Sequence, residues 1–320
     1  YIFITAEQPA AGLIEYFNRD GQRFTRNFSI GKDEFFIFSL PHWTFELQGN
    51  TSHNTGDPVP NPQNEQIAPQ IFHITSSSDI TVYGLNQAET TSDAFIALPA
   101  DVLGQEYIIM SHNAISSSSV GNYDTPSQFA IVATQDNTAV TITPSAPTSQ
   151  NTAGTQKKVT LDKGDVYLVQ TPRNAVTDLT GSAISSDKPI AVFSGQQRTK
   201  IPVSFSSRDH IVEQLAPIPS WGGSAFITPY PLASGANPTL YDRYRVLAAF
   251  DNTEVYIDGI LIRTLNAREF FEADIVKAQW ITATGPIMVA QFKKSSNESS
   301  GVDNTGDPFM IVNSPVEQYL

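Results

Sequence analysis

Asn266-Ala-Arg-Glu-Phe-Phe-Glu-Ala-Asp-Ile-Val-Lys-Ala-Gln-Trp280 is the stretch on which the fold class turns. Asn266 followed three residues later by Glu269 has the form of a capping box, and helix formers follow it, so local propensity predicts a helix. Two other stretches argue for a strand. Leu265-Asn-Ala-Arg-Glu-Phe-Phe271 aligns with Leu161-Asp-Lys-Gly-Asp-Val-Tyr167 and with Ile30-Gly-Lys-Asp-Glu-Phe-Phe36, each placing an acid before two strand formers. A repeated pattern reports a repeated backbone, so it outranks the propensity of one segment.

Further matches extend outward from this one. Gln135-Asp-Asn-Thr-Ala-Val-Thr-Ile142 resembles Phe250-Asp-Asn-Thr-Glu-Val-Tyr-Ile257, a turn followed by an alternating strand. Ile184 to Phe193 aligns with Ile281 to Ala290 and with Ile74 to Tyr83, and Val212-Glu-Gln214 with Val316-Glu-Gln318. Tyr1 to Thr5, Tyr107 to Ser111 and Phe226 to Pro229 are expected to hold one place in the repeat. Between the β-branched and aromatic runs lie clusters of Gly, Pro, Asn, Asp and Ser that set up turns. The expectation is an all-β chain of three related β-sandwich-like repeats, 1–103, 104–222 and 223–320, each about 100–120 residues with short strands and long loops. Because it opens on a strand and closes on a motif that a strand should follow, either the two ends meet to close the array or the chain is an excerpt of a longer protein, the reading preferred.

Composition excludes several function classes. A net charge of −13 argues against binding nucleic acid or an anionic membrane surface. No apolar run is long enough for a transmembrane segment. With no cysteine, thiol catalysis, disulfides and zinc–thiolate sites are excluded. Neither a nucleophile elbow nor a glycine-rich phosphate loop is present. His42, His53, His73, His112 and His210 show no metal-ligand spacing, and His210, beside Asp209 and Glu213, reads as a structural histidine bonded to a neighbouring loop. No catalytic residue and no cofactor are expected. Calcium is the one ion considered, because Asn-Thr-Gly-Asp-Pro occurs at 54–58 and 304–308, the second preceded by Asp303. Its candidate ligands are Asp57, Asp303 and Asp307. The same residues also read as turns ended by proline, which need no ion. Trp43 is the candidate for a sugar-stacking surface.

The ordered series Asp79 to Asn86, Asp93 to Pro99, Leu103 to Ile108, Ser127 to Ala133, Asp136-Asn-Thr138, Leu179-Thr-Gly181, Asp187 to Gly195, Asp209 to Leu215 and Gly306 to Met310 resembles the IgGFc-binding protein N-terminal domain family. The resemblance covers nearly the whole chain. It implies a secreted or cell-surface module that binds or adheres without enzymatic activity, with other extracellular proteins, glycans or copies of itself as partners. Immunoglobulin Fc binding is not carried over. Where members of the family place cysteines, Gln196 to Asp209 has none, which puts any disulfide-dependent role in doubt and points to a microbial member. The expected function is an extracellular adhesive or structural surface module. The alternatives are a filament subunit assembled by strand exchange and, behind it, a polysaccharide-active enzyme.

Overall fold

The computed structural model describes residues 1–40, 45, 47, 64–88, 91–115, 125–172, 176–230, 241–296 and 306–319. Strands β1 (Ile2–Thr5), β2 (Ala10–Phe17), β3 (Arg23–Ile30) and β4 (Phe35–Phe38) come first. The short β5 (Ile67–Ala68) precedes β6 (Phe72–Ser76), β7 (Thr81–Ala88) and β8 (Thr91–Ala97). They form a four-stranded sheet, β4-β1-β7-β8, facing a three-stranded one, β3-β2-β6, while β5 crosses to the next sheet. Alternation explains the pairing: Ile2, Ile4, Ile14, Phe28 and Ile30 point inward into one core, and Phe36, Phe38 and Val82 pack on it.

The central sheet holds β9 (Gly104–Ile108), β10 (Ser127–Ala133), β11 (Thr138–Thr143), β12 (Lys157–Leu161), β13 (Val166–Gln170), β14 (Ala183–Thr199) and β15 (Asp209–Leu215). The C-terminal sheet holds β16 (Gly222–Ile227), β17 (Arg243–Ala248), β18 (Thr253–Ile257), β19 (Ile260–Leu265), β20 (Phe270–Asp274), β21 (Gln279–Phe292) and β22 (Met310–Asn313). The first half of β14 pairs β11 and β9, and its second half pairs β10 and β15. β21 does the same with β18 and β16, then with β17 and β22. The ladders shift register around Pro189 and Pro286, where a proline lacks the N–H that an unbroken ladder needs. In the N-terminal sheets the matching strand is split into β6 and β7.

The turns identify why Asn266 to Trp280 is not helical. Asp33, Gly164 and Arg268 all adopt positive φ, at 59°, 90° and 73°. In each case the acid that follows accepts a hydrogen bond from a main-chain N–H three residues before it: Gly31 to Glu34, Asp162 to Asp165 and Asn266 to Glu269, all 2.8 Å. The capping-box geometry therefore exists but closes a tight turn into β20. Asp136 and Asp251 likewise accept main-chain N–H groups of these turns, from Lys163 at 3.0 Å and Ala267 at 2.8 Å.

Two expected correspondences differ. β1 lies between β4 and β7, as β10 lies between β13 and β14, so its counterparts are β10 and β17; β9 and β16 hold a different place. Val212 to Gln214 lies in β15, whereas Val316–Gln318 is a 3-10 turn behind Pro315. That turn matches Ile218–Ser220 behind Pro217 and Ala100–Val102 behind Pro99. Sequence identity over three residues was outweighed by the proline, which fixes φ and ends the strand.

Gly195 lies where β14 runs against β15, and a β-carbon there would overlap the Ile211 carbonyl oxygen. Gly195→Ala is expected to lower unfolding free energy by about 2 kcal/mol or more, read from the midpoint of denaturant unfolding followed by tryptophan fluorescence.

Candidate functional site

Polar groups concentrate where the sheets meet, in two buried joints. The first connects the central and C-terminal sheets around Arg245 on β17. Arg245 is 2% exposed, and an isolated charge at such depth is costly unless fully paired. Its guanidinium donates to Asp178 at 2.6 Å, to Glu272 at 2.9 Å, to the Ser111 carbonyl at 2.6 Å and to Asn113 Oδ1 at 3.1 Å. The rings of Phe270 and Phe292 flank it at 4.7 and 5.5 Å. Burial alone would raise the Asp178 and Glu272 carboxyls, but the charges of Arg245 and His112, together with the hydrogen bonds these carboxyls accept, outweigh it and hold both below the usual carboxylate range. Burial, and then the charge of Arg245, lowers buried His112 to about 3; its Nδ1 lies 3.0 Å from Thr199 Oγ1. Gly181, at φ 87°, lets the backbone meet Arg268, whose carbonyl a β-carbon would strike at 2.5 Å.

The second joint brings β8, β15 and β22 together. Asp93 Oδ2 accepts from the Val212 N–H at 2.9 Å and from Met310 at 3.5 Å, tying three strands to one carboxyl. Asp209 Oδ1 accepts from the Ser92 N–H at 3.0 Å, from the His210 N–H at 2.6 Å and from the Thr91 hydroxyl. Burial raises Asp93 to about 7, and burial with the charge of Asp93 raises Glu213 to about 8. Burial and a hydrogen bond with Asp307 push Asp209 up as well. His210 is lowered to about 4 by burial; its Nδ1 lies 3.3 Å from the Gln197 carbonyl and its Nε2 3.0 Å from Asn86 Nδ2. Both partners lie on strands, Gln197 on β14 and Asn86 on β7, rather than on the neighbouring loop expected from the sequence.

Of the residues singled out from the sequence, Asp307 reaches this second joint, while Asp57, Asp303, Trp43, His42 and His53 lie outside the described residues. His73 faces Glu15 at 3.2 Å. Among the described residues no three His, Asp or Glu side chains are grouped as metal ligands would be, and no helix is long and apolar enough to cross a membrane. Arg245, Asp178 and Glu272 escaped the sequence reading. The available signal was a charge inside the otherwise apolar run Tyr244 to Ala249, a position at which an arginine requires buried partners.

Arg245→Met is expected to cost about 3 kcal/mol in denaturant unfolding, because the partly buried Asp178 loses its cation, while Glu272 keeps Arg243 at 2.9 Å. Adding Asp178→Asn and Glu272→Gln should recover part of that loss. The acids of the second joint hold protons when folded that the unfolded chain releases near pH 4. Their stabilisation is therefore present at low pH and is lost as pH rises toward 7 to 8. His112 and His210 act oppositely, costing stability as pH falls below 6.5. Thermal midpoints should fall from pH 6.5 to 8.5, and Glu213→Gln should flatten that slope.

Comparison with known proteins agrees with the motif series. The family model described as IgGFc binding protein matches residues 93–320. A human protein named IgGFc-binding protein is 27% identical over 268 residues, covering 80% of this chain but 5% of its own length. The chain thus spans a small fraction of that relative. No solved structure was found to match. With the family model covering well over half of its residues, the chain belongs to the IgGFc-binding protein family.

Proposed function

We propose that the chain is a non-enzymatic, extracellular binding and structural module of three related β-sandwich-like units, 1–103, 104–222 and 223–320. The observation that carries this reading is the pair of buried, hydrogen-bonded joints, which fix the sheets relative to one another and leave the loops to make contacts. The common pairing order of β9–β15 and β16–β22, and the three matched acid-closed turns, support the division into related units.

The alternatives have less behind them. Glycoside hydrolysis wants two carboxyls flanking a cleft that substrate can enter. Asp93, Asp209 and Glu213 are buried, and the first two are occupied by main-chain N–H groups. Strand exchange needs a free terminal strand, and β1 is paired on both edges within the chain. The Val316–Gln318 turn is also engaged, with Glu317 accepting the Gly223 N–H at 2.9 Å and Gln318 donating to the Ser220 carbonyl at 2.7 Å.

The matched human protein is named for binding immunoglobulin Fc, so Fc is the first ligand to assay, beside mucin-type glycans and extracellular matrix proteins. Immobilised chain should bind at least one of these saturably and release no product from polysaccharide. Calcium belongs in the same assay, since Asp307, from one of the two Asn-Thr-Gly-Asp-Pro loops, touches the second joint. Turnover of a polysaccharide that is lost on mutating a carboxyl pair would sink the module reading.

A further inference from the structure

One sheet face recurs three times, and two of its three copies are covered. On the C-terminal sheet the cross-strand row Glu272–Arg245–Ala290–Val312 carries this face. It is buried against the central sheet through Ser111, Asp178 and Thr180. On the central sheet the corresponding row is Leu168–Ala130–Phe193–Gln214. It is covered from the N-terminal side. Leu47, Ala68 and Ile71 pack with Ala130, Val166 and Leu168, Phe95 meets Phe193 edge-on at 5.3 Å, and the Leu98 N–H donates to Gln214 at 2.9 Å.

The third copy is the row Ile37–Phe3–Tyr83–Ile96 on β4-β1-β7-β8. Alternation sends its neighbours Ile2, Ile4 and Val82 to the core, so this row faces outward. Ile37 is 48% exposed, Tyr83 44%, Ile96 45% and Phe35, beside them, 69%. Scattered exposed apolar residues need no explanation, but a contiguous row of them across a sheet does.

The covering residues also follow a rule. In both internal joints they include the connection that leads from β4 to β6 or from β13 to β14: Leu47, Ala68 and Ile71 in the first, Asp178 and Thr180 in the second. The corresponding connection in the C-terminal sheet, between β20 and β21, leaves Val276 58% exposed, with Phe226 at 42% and Trp280 at 43% nearby. Ile275 anchors it as Leu179 anchors the central one: their N–H groups bond Asp242 and Ser127, which hold matching places before β17 and in β10. The two outer faces differ from the inner joint in the same sense. Phe3 stands where Arg245 stands, and Val276 follows Ile275 where Thr180 follows Leu179. At these two register positions the contact has become apolar on both sides, while Asp274, paired with Arg243 at 2.8 Å, keeps the acid of Asp178 beside Val276.

We infer that the Phe35–Ile37–Tyr83–Ile96 face receives the Val276–Phe226–Trp280 end of a second copy of this chain. The association is head-to-tail and continues the stacking seen inside the molecule. Such a contact uses different surfaces on the two partners, so it propagates from copy to copy, as an open array unless the rotation per copy closes a ring. It rests on the reading of three related units above, and not on any ligand.

Sedimentation velocity across a concentration series tests it, with Tyr83→Glu and Val276→Glu as exposed substitutions that leave the cores untouched. Wild type should form species that lengthen with concentration, and each variant alone should remain monomeric. An equimolar mixture should stop at dimers, because one intact pair of faces survives. The absence of cysteine allows a second readout: Tyr83→Cys and Val276→Cys chains, mixed and oxidised, should cross-link to each other in preference to themselves. A wild type that stays monomeric throughout overturns the inference, as does a mixture that fails to pair or cross-linking confined to like variants. Ligand binding by the monomeric Tyr83→Glu chain reports separately on the proposed function.

Discussion

A strand of 17 residues cannot lie flat in one sheet of ordinary size, and β14 has that length. Its two halves must find different partners, and the chain resolves this by bending it at Pro189, where the missing N–H would have broken the ladder in any case. The same constraint acts on β21 at Pro286. Each long strand is thereby shared between two layers, so the layers cannot slide independently, and four further strands are placed by pairing with it. Gly195 on β14 must be glycine because β15 comes too close for a side chain. The strand that organises the sandwich therefore also tolerates the least change.

Sharing strands between layers leaves the joints between sheets to be made by faces rather than edges. On the C-terminal side the face is built around Arg245, with aromatic rings above it and two carboxylates beside it. A buried ion pair contributes little net stability compared with apolar packing, but it is strongly selective, since any displaced arrangement strands a charge. The second joint uses a different device. Three carboxyls there are pushed upward by burial, and the main-chain N–H groups of separate strands converge on two of them. One joint is thus fixed by charges that stay ionised and the other by acids that favour protonation, so rising pH weakens the second, while the carboxylates of the first lose their contribution only in acid.

The sequence was most informative where geometry is local. The acid-closed turns at Glu34, Asp165 and Glu269 were visible as a repeated phrase, because positive φ and a capping acid are properties of four or five neighbouring residues. Asp136 and Asp251 were legible for the same reason. The joints were not legible, since Asp93, Asp209 and Asp307 are far apart in the chain and meet only after three strands have taken their register. Arg245 gave a faint signal, but nothing in the chain names Asp178 as its partner. The placing of β1 failed on the same ground: a short apolar strand resembles every other, and only its neighbours in the sheet distinguish a central position from an edge.

Position by position, the three copies of the recurring face trace how one surface can serve different ends. Where the partner is always present, in the same chain, an arginine with matched acceptors is affordable because its desolvation is compensated once, on folding. Where the face is open to water, the same position holds Phe3, and a charge there would gain little from a partner that arrives only by encounter. Apolar contact suits that situation better, because it tolerates imperfect registry and leaves no stranded charge when the partner is absent. The middle copy, with Ala130 at this position, shows that a permanent joint can also be apolar, so arginine marks only a joint whose partner is always present, whereas the apolar Phe3 suits either a fixed or a reversible partner.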